Sequence, residues 1–210
     1  MARTLQDFEI KTHAAKIASD LGVRVIVPDL YRGKLGSEAE EAQHLMGSLD
    51  FPGAVQDVIG AAAFLRANGA TKVGVLGFCM GGALTVGAAA HGGPASFDCC
   101  APFYGVNFQL QDIAKQLKVP LQWHSGEEDH APGFADVAAA KKVGELCAEA
   151  GVPHEVFTYA GVGHGFMNAS EEGVARKAKL GQGAHNQAQV DLAWSRLYAF
   201  FGKYLGTTAK

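Results

Sequence analysis

The residues able to carry chemistry begin with Cys79, which stands in "GVLGFCMGG" (residues 74–82) between Gly77 and Gly81. An apolar β-like run, Lys72 to Gly77, leads into it, and an alanine-rich helical stretch, Met80 to His91, leads out, so Cys79 occupies a strand-to-helix turn. A nucleophile on so tight a turn is forced into a strained backbone, and glycines two residues before and after it remove Cβ atoms expected to collide there. The helix that follows points its N-terminal amides and positive dipole end at the sulfur, which favours thiolate over thiol. A buried cysteine in an ordinary Gly-rich βα turn would read the same way, so the motif needs partners elsewhere in the chain.

A thiolate needs a base to manage its proton, and that base needs an orienting acid; on later strand-end loops the expected order is nucleophile, acid, histidine. The chain supplies that order. "SGEEDHAPG" follows a strand ending at His124 and carries Asp129 in a turn; "AGVGHGFMN" follows a strand ending at Tyr159 and carries His164 among glycines. A histidine in a glycine-rich loop just beyond a strand is hard to explain as core packing. Glu127 and Glu128 compete with Asp129 for the orienting role, and spacing within the turn favours Asp129. His124, Glu127, Asp129 and His130 are also of metal-ligand types, but they lack the helical two-histidine spacing of zinc motifs, so no metal is expected. His13, His44 and His91 fall on helices, where surface positions are expected, and His154 and His185 carry no signal.

These loops need a scaffold. Apolar runs at Val23 to Pro28, Lys72 to Gly77, Ser96 to Phe103, Val119 to His124 and His154 to Tyr159 read as strands. Between them lie helical patterns, among them one from Pro52 stopped by Asn68 and Gly69, and a last one with Val190, Trp194, Leu197 and Phe201 on one face. Alternating strands and helices with nearly continuous apolar strands predict an α/β fold, a mostly parallel sheet with helices on both faces. Residues 173–186, "GVARKAKLGQGAHN", read as a surface connection.

With 210 residues, 48% of them hydrophobic, and no sharp shift in composition, a single domain over residues 1–210 is expected. A formal charge of −3 without basic blocks argues against nucleic acid or an anionic membrane as partner. No apolar segment reaches membrane-spanning length and the first twenty residues are polar and amphipathic, so a cytoplasmic protein is expected. Four cysteines at 79, 99, 100 and 147 show neither CxxC spacing nor disulfide density, and the adjacent Cys99 and Cys100 read as small buried strand residues.

Through "RVIVPDLYRGK", "GVLGFCMGGAL", "PFYGV", "HSGEEDHAPG" and "YAGVGHGFMN" the chain resembles the dienelactone hydrolase (carboxymethylenebutenolidase-like) family of the α/β-hydrolase superfamily, from about Phe8 onward. The resemblance implies a Cys79, Asp129, His164 triad that opens lactones or cleaves small esters through an acyl-thiol intermediate, with the Met80 amide serving the oxyanion and no cofactor. It suggests Arg32 in "DLYRGK" and Tyr104 in "PFYGV" as substrate-binding residues, with Asn168 where a second arginine can stand. The expected partner is a small ester or lactone, the expected assembly a monomer or homo-dimer.

One departure from the family pattern stands out. The chain begins with a helix, whereas the family places strands ahead of it, one of them between the strands read here as "VRVIVP" and "KVGVLG". That strand's loop gives a second oxyanion amide and a glutamate that regulates the cysteine; its place falls near Ala2, so it is absent. Strands pair about 4.8 Å apart, and each buried unpaired backbone group costs about 1 to 3 kcal/mol, so an empty slot is expensive. Direct pairing, a segment from another chain, or an N-terminally shortened sequence would each resolve it, and the last is the expectation. A catalytically impaired relative that binds small molecules or acts as a scaffold is the alternative function.

Overall fold

The structure is a computed structural model that describes residues 5–34, 36, 39–106 and 116–208. Its elements in chain order are α1 (Leu5–Leu21), α2 (Ala39–Gly47), α3 (Phe51–Ala67), β1 (Gly74–Phe78), α4 (Met80–Ser96), β2 (Cys99–Phe103), β3 (Leu121–Gly126), α5 (Val137–Glu149), β4 (His154–Tyr159), α6 (Glu171–Lys179) and α7 (Gln187–Leu205). The four strands form one sheet in the order β1-β2-β3-β4, and every neighbouring pair is parallel. Parallel pairing brings all four carboxyl ends to one edge, where the loops carrying Cys79, Asp129 and His164 emerge.

Burial divides the helices between the two faces of the sheet. Ala54 and Val55 of α3, Leu84 and Val86 of α4, and Val143 and Leu146 of α5 pack with Trp123 and Leu121 on one side. Ile17 and Leu21 of α1 and Val190, Trp194 and Leu197 of α7 pack with Phe103 and Tyr159 on the other. The period of two in β2 follows from this: Cys100 joins the first cluster, while Cys99, Ala101 and Phe103 join the second. Both adjacent cysteines are fully buried free thiols, as their sequence context predicts. None of the described helices is long and apolar enough to cross a membrane.

Helix boundaries follow local chemistry. The Asp50 side chain caps α3 by accepting from the Gly53 N–H, with Pro52 in the first turn where its missing N–H costs nothing. Asn186 caps α7 through the Gln189 N–H, and Gly206 closes that helix in the left-handed region at φ 71°.

Three expectations need correction. Residues 23–28 form no strand: they carry no ladder bonds, and Val25, Ile26 and Val27 remain 36%, 36% and 45% exposed. Direct pairing with β1 is not realised, because β1 is bonded to β2 alone among the described residues; an apolar β-branched run becomes a strand only when a neighbour accepts its backbone. Residues 173–186 are not simply a connection, since α6 covers their first half. Ser170 caps α6 through the Gly173 N–H, Glu171 and Glu172 occupy its first turn, and Arg176, Lys177 and Lys179 its last, a charge order that suits the helix dipole. His13 is buried rather than exposed, wedged between the rings of Phe78 and Trp194 at 5.0 and 5.2 Å, because the inner face of α1 lies over the sheet; burial lowers its pKa.

Candidate active site

Cys79 joins β1 to α4 at φ 56°, ψ −120°, a left-handed backbone that side-chain-bearing residues rarely adopt and that stores about 1 to 3 kcal/mol of strain. Hydrogen bonds hold it there. Its N–H donates to the Phe103 carbonyl at 3.0 Å, and its own carbonyl accepts from Gly82 and Ala83 at 2.8 and 3.2 Å, so the chain turns directly into the helix. A Cβ on Gly77 would run into the Gly81 carbonyl and come within 2.8 Å of Thr85 Oγ1. The other glycine that the turn requires is Gly82, where a Cβ would meet the carbonyls of Phe103 and Gly105 at 2.7 and 2.9 Å; Gly81, expected to fill that role, faces open space. Met80 is the first residue of α4, and its N–H belongs to the helix-start amides that have no acceptor within the helix.

The acid arrives from the turn after β3. Backbone bonds from Glu127 to Tyr159 and from Glu128 to Val162, both 3.0 Å, lash this turn to the end of β4 and the loop beyond it. Glu127 and Glu128 are thereby left exposed, whereas Asp129 is 2% exposed and turned inward. Its Oδ1 accepts from the Ala131 N–H at 3.1 Å, and its Oδ2 lies 2.7 Å from His164 Nδ1. On the far side of the ring, His164 Nε2 lies 3.1 Å from Cys79 Sγ. The three residues read from the sequence thus meet in one line of contacts, and of the three acids in the turn it is Asp129 that touches the imidazole.

Charge is distributed accordingly. Burial works against a positive imidazole at His164, but the bonds to Asp129 and Cys79 overcome it and raise the pKa to about 10. A raised folded-state pKa means that the native state binds more protons than the unfolded chain between the ordinary value of 6.5 and about 10, so stability falls with pH across that window. The stability advantage of the wild type over His164→Gln should therefore be full below pH 6.5 and shrink as pH rises toward 10, read as urea midpoints at several pH values. A pH-independent difference would refute the charged state of this ring. The other three cysteines are unlike Cys79: burial pushes the Cys99 thiol up to about 12 and Cys147 to about 11, and raises Cys100 as well, whereas Cys79 is only half-buried.

Tyr104 stands directly behind the site. It is 1% exposed, its backbone is at φ 36°, and its ring meets His164 edge-on at 5.2 Å, so it braces the imidazole. Arg32 lies in the turn whose amides at Tyr31 and Gly33 donate to the Asp29 carboxylate. Tyr31 Oη reaches Met80 Sδ at 3.4 Å, which brings this turn to the start of α4, while the Arg32 guanidinium is 68% exposed and paired with Asp57 of α3 at 2.7 Å. His124, one of the metal-ligand types in the sequence, is a core residue. It sits stacked on Phe103, with Nδ1 2.7 Å from Tyr159 Oη and Nε2 2.8 Å from Gln122 Oε1, and burial lowers its pKa to about 3.

Beside His164 opens a cavity of about 310 Å³, whose lining mixes the apolar Ala131, Phe134 and Leu180 with the polar Glu128, His130 and Gln182. Sequence reasoning missed Leu180 and Gln182 because they follow a helix it did not find. The Ser170, Glu171, Glu172 start signal was the available clue.

Known proteins show the same arrangement of chain. A solved dienelactone hydrolase-like promiscuous phosphotriesterase from metagenomic libraries superposes with a TM-score of 0.76 at 19% identity, over 97% of this chain and 83% of that one, which identifies an α/β-hydrolase fold. The protein usf of Aquifex pyrophilus is 32% identical over 192 residues, 88% of this chain and 76% of that protein. The carboxymethylenebutenolidase of Pseudomonas putida is 30% identical over 173 residues, 76% of this chain and 70% of that protein. With the sequence pattern of the dienelactone hydrolase family matching residues 6–205, the chain belongs to that family and is a carboxylic ester hydrolase.

Proposed function

We propose that this protein hydrolyses small lactones or esters, of the carboxymethylenebutenolide type handled by its relatives, through an acyl-thiol intermediate on Cys79. The observation that supports this reading is the pair of contacts on one imidazole, 3.1 Å to Cys79 Sγ and 2.7 Å to Asp129 Oδ2. Asp129 fixes the tautomer by accepting from Nδ1–H, which leaves Nε2 to exchange a proton with sulfur. The thiolate attacks the carbonyl carbon, and the resulting oxyanion is received by the Met80 N–H at the positive end of α4. The C–O bond then breaks, and Nε2–H gives its proton to the departing alkoxide, which in a lactone stays tethered to the acyl group. Water attacks the thioester and yields its proton to Nε2. Sulfur leaves as thiolate, and the carboxylic acid formed gives its remaining proton to solvent as it is released as carboxylate.

The test combines turnover with labelling. A panel of lactones and 4-nitrophenyl esters should be hydrolysed, and iodoacetamide near neutral pH should alkylate Cys79 well before Cys99, Cys100 and Cys147, since thiolate is the reacting species. Uniformly slow labelling of all four cysteines with no turnover would instead favour a protein that binds small molecules without cleaving them.

A further inference from the structure

Helix α6 docks on the protein without an apolar face. Its buried positions are Gly173 and Lys177, four residues apart and therefore on one side of the helix. Lys177 is only 2% exposed, and an ammonium leaves water at a cost that a partner must offset. The reaction described above makes no use of it. Resting on the hydrolase reading, we infer that Lys177, with Glu9 of α1 as its counter-charge, is a positioning residue that holds the His164 loop in catalytic register.

The contacts run to both ends of that loop. At the near end, Lys177 Nζ lies 3.5 Å from the carbonyl of Phe166, two residues after His164, and its stem runs past Gly165. At the far end, Glu9 Oε1 accepts from the Ser170 N–H at 3.0 Å, so α1 holds the residue that caps α6. Glu9 is 5% exposed and its Oε2 has no hydrogen-bond partner among the described residues. The two buried charges compensate each other: burial pulls the Lys177 pKa down, and the Glu9 charge opposes that pull. Gly173 lets the helices close, since a Cβ there would stand 2.5 Å from Glu9 Oε1. The turn beyond α6 closes a third side, where a Cβ on Gly163 would meet the Gln182 carbonyl at 2.5 Å.

What this arrangement fixes is a peptide group. The Phe166 side chain is anchored independently, with its ring 5.6 Å from that of Tyr104 and 4.9 Å from that of Tyr159. An anchored ring still lets the backbone between residues 164 and 166 turn about its own bonds, and the contact at the carbonyl opposes that. His164 must meet Cys79 at 3.1 Å and Asp129 at 2.7 Å together. A displacement of about 1 Å can cost about a hundredfold in rate.

The test is Lys177→Met, which keeps an unbranched side chain beside the loop without the ammonium. It is read by ester kinetics and by an NMR titration of the His164 imidazole, whose signal is identified by its absence in His164→Gln. For a 4-nitrophenyl ester, kcat should fall about tenfold or more with KM within about threefold of wild type. The imidazole pKa, raised to about 10 through the bonds to Asp129 and Cys79, should fall by about half a unit or more as those contacts loosen. The sign is diagnostic. Asp129, Cys79 and Tyr104 touch the ring, and were Lys177 acting only as a positive charge nearby, its removal would raise the imidazole pKa. Val143→Ala in α5, a core truncation on the other face of the sheet, should lower the melting temperature and leave both readouts unchanged. An imidazole pKa that stays in place or rises in folded Lys177→Met would overturn the inference. Should that variant fail to fold, Glu9→Gln decides instead, because it keeps an oxygen for the Ser170 N–H and removes only the counter-charge: a lower kcat at unchanged KM supports the inference, and wild-type kcat overturns it. Absence of ester turnover by the wild type would sink the hydrolase reading alone, since the titration needs no substrate.

Discussion

Replacing Cys79 with alanine should abolish ester and lactone hydrolysis, by at least about 10⁴-fold in kcat, while leaving the melting temperature within a few degrees of the wild type. Both halves of this result follow from the local structure. The sulfur is bonded to His164 and provides no side-chain cap for α4, so the helix start depends on the backbone bonds from Gly82 and Ala83 to the Cys79 carbonyl. Alanine keeps those bonds and suffers the same penalty at φ 56° as cysteine does. What disappears is the group that, on the proposed mechanism, forms the covalent intermediate. Steady-state kinetics and a thermal melt of the same preparation check the prediction. Residual turnover above about 1% of wild type would move the nucleophile elsewhere.

Asp129→Asn should lower kcat about 10³- to 10⁴-fold and leave the fold in place. The carboxamide oxygen of this variant can keep the bond from the Ala131 N–H, so the turn that follows β3 survives. The loss falls on His164. Without the carboxylate, Nδ1–H no longer has an anionic acceptor, the wrong tautomer becomes accessible, and the strongest influence raising the imidazole pKa is removed. The variant should therefore also bind the His164 proton less tightly, visible as a downward shift in an imidazole NMR titration. A kcat within tenfold of wild type would show that Asp129 only shapes the turn.

The sequence made the line of Cys79, Asp129 and His164 legible because each residue sits just after an apolar run, and the parallel sheet carries the ends of such runs to one edge. Burial separated Asp129 from Glu127 and Glu128, and burial depends on the bonds that tie the turn to Tyr159 and Val162, which are more than thirty positions away. The same limit explains the histidines. Neither His13 nor His124 has a local pattern that distinguishes a ring stacked in the core from one in solvent; that difference comes from Phe78, Trp194, Phe103 and Tyr159. Gly81 and Gly82 exchanged roles because a sequence shows which residues lack a Cβ but not which strand's carbonyls approach them. Residues 23–28 have strand composition and no ladder partner among the described residues, so composition alone does not make them a strand.

The strand that leads into Cys79 has a bonded neighbour on one side only among the described residues. Half of its backbone amides and carbonyls are therefore held by the β2 ladder, and the other half depend on solvent or on whatever lies along that margin. A strand tethered along one flank can fray at a smaller free-energy cost than an interior one. The imidazole and carboxylate come from the ends of β3 and β4, on the far side of β2, so a slight lateral slackening of β1 would part sulfur from nitrogen while most of the protein stayed folded. On the proposed mechanism, catalytic competence would depend on the grip between β1 and β2, and inactivation would precede global unfolding.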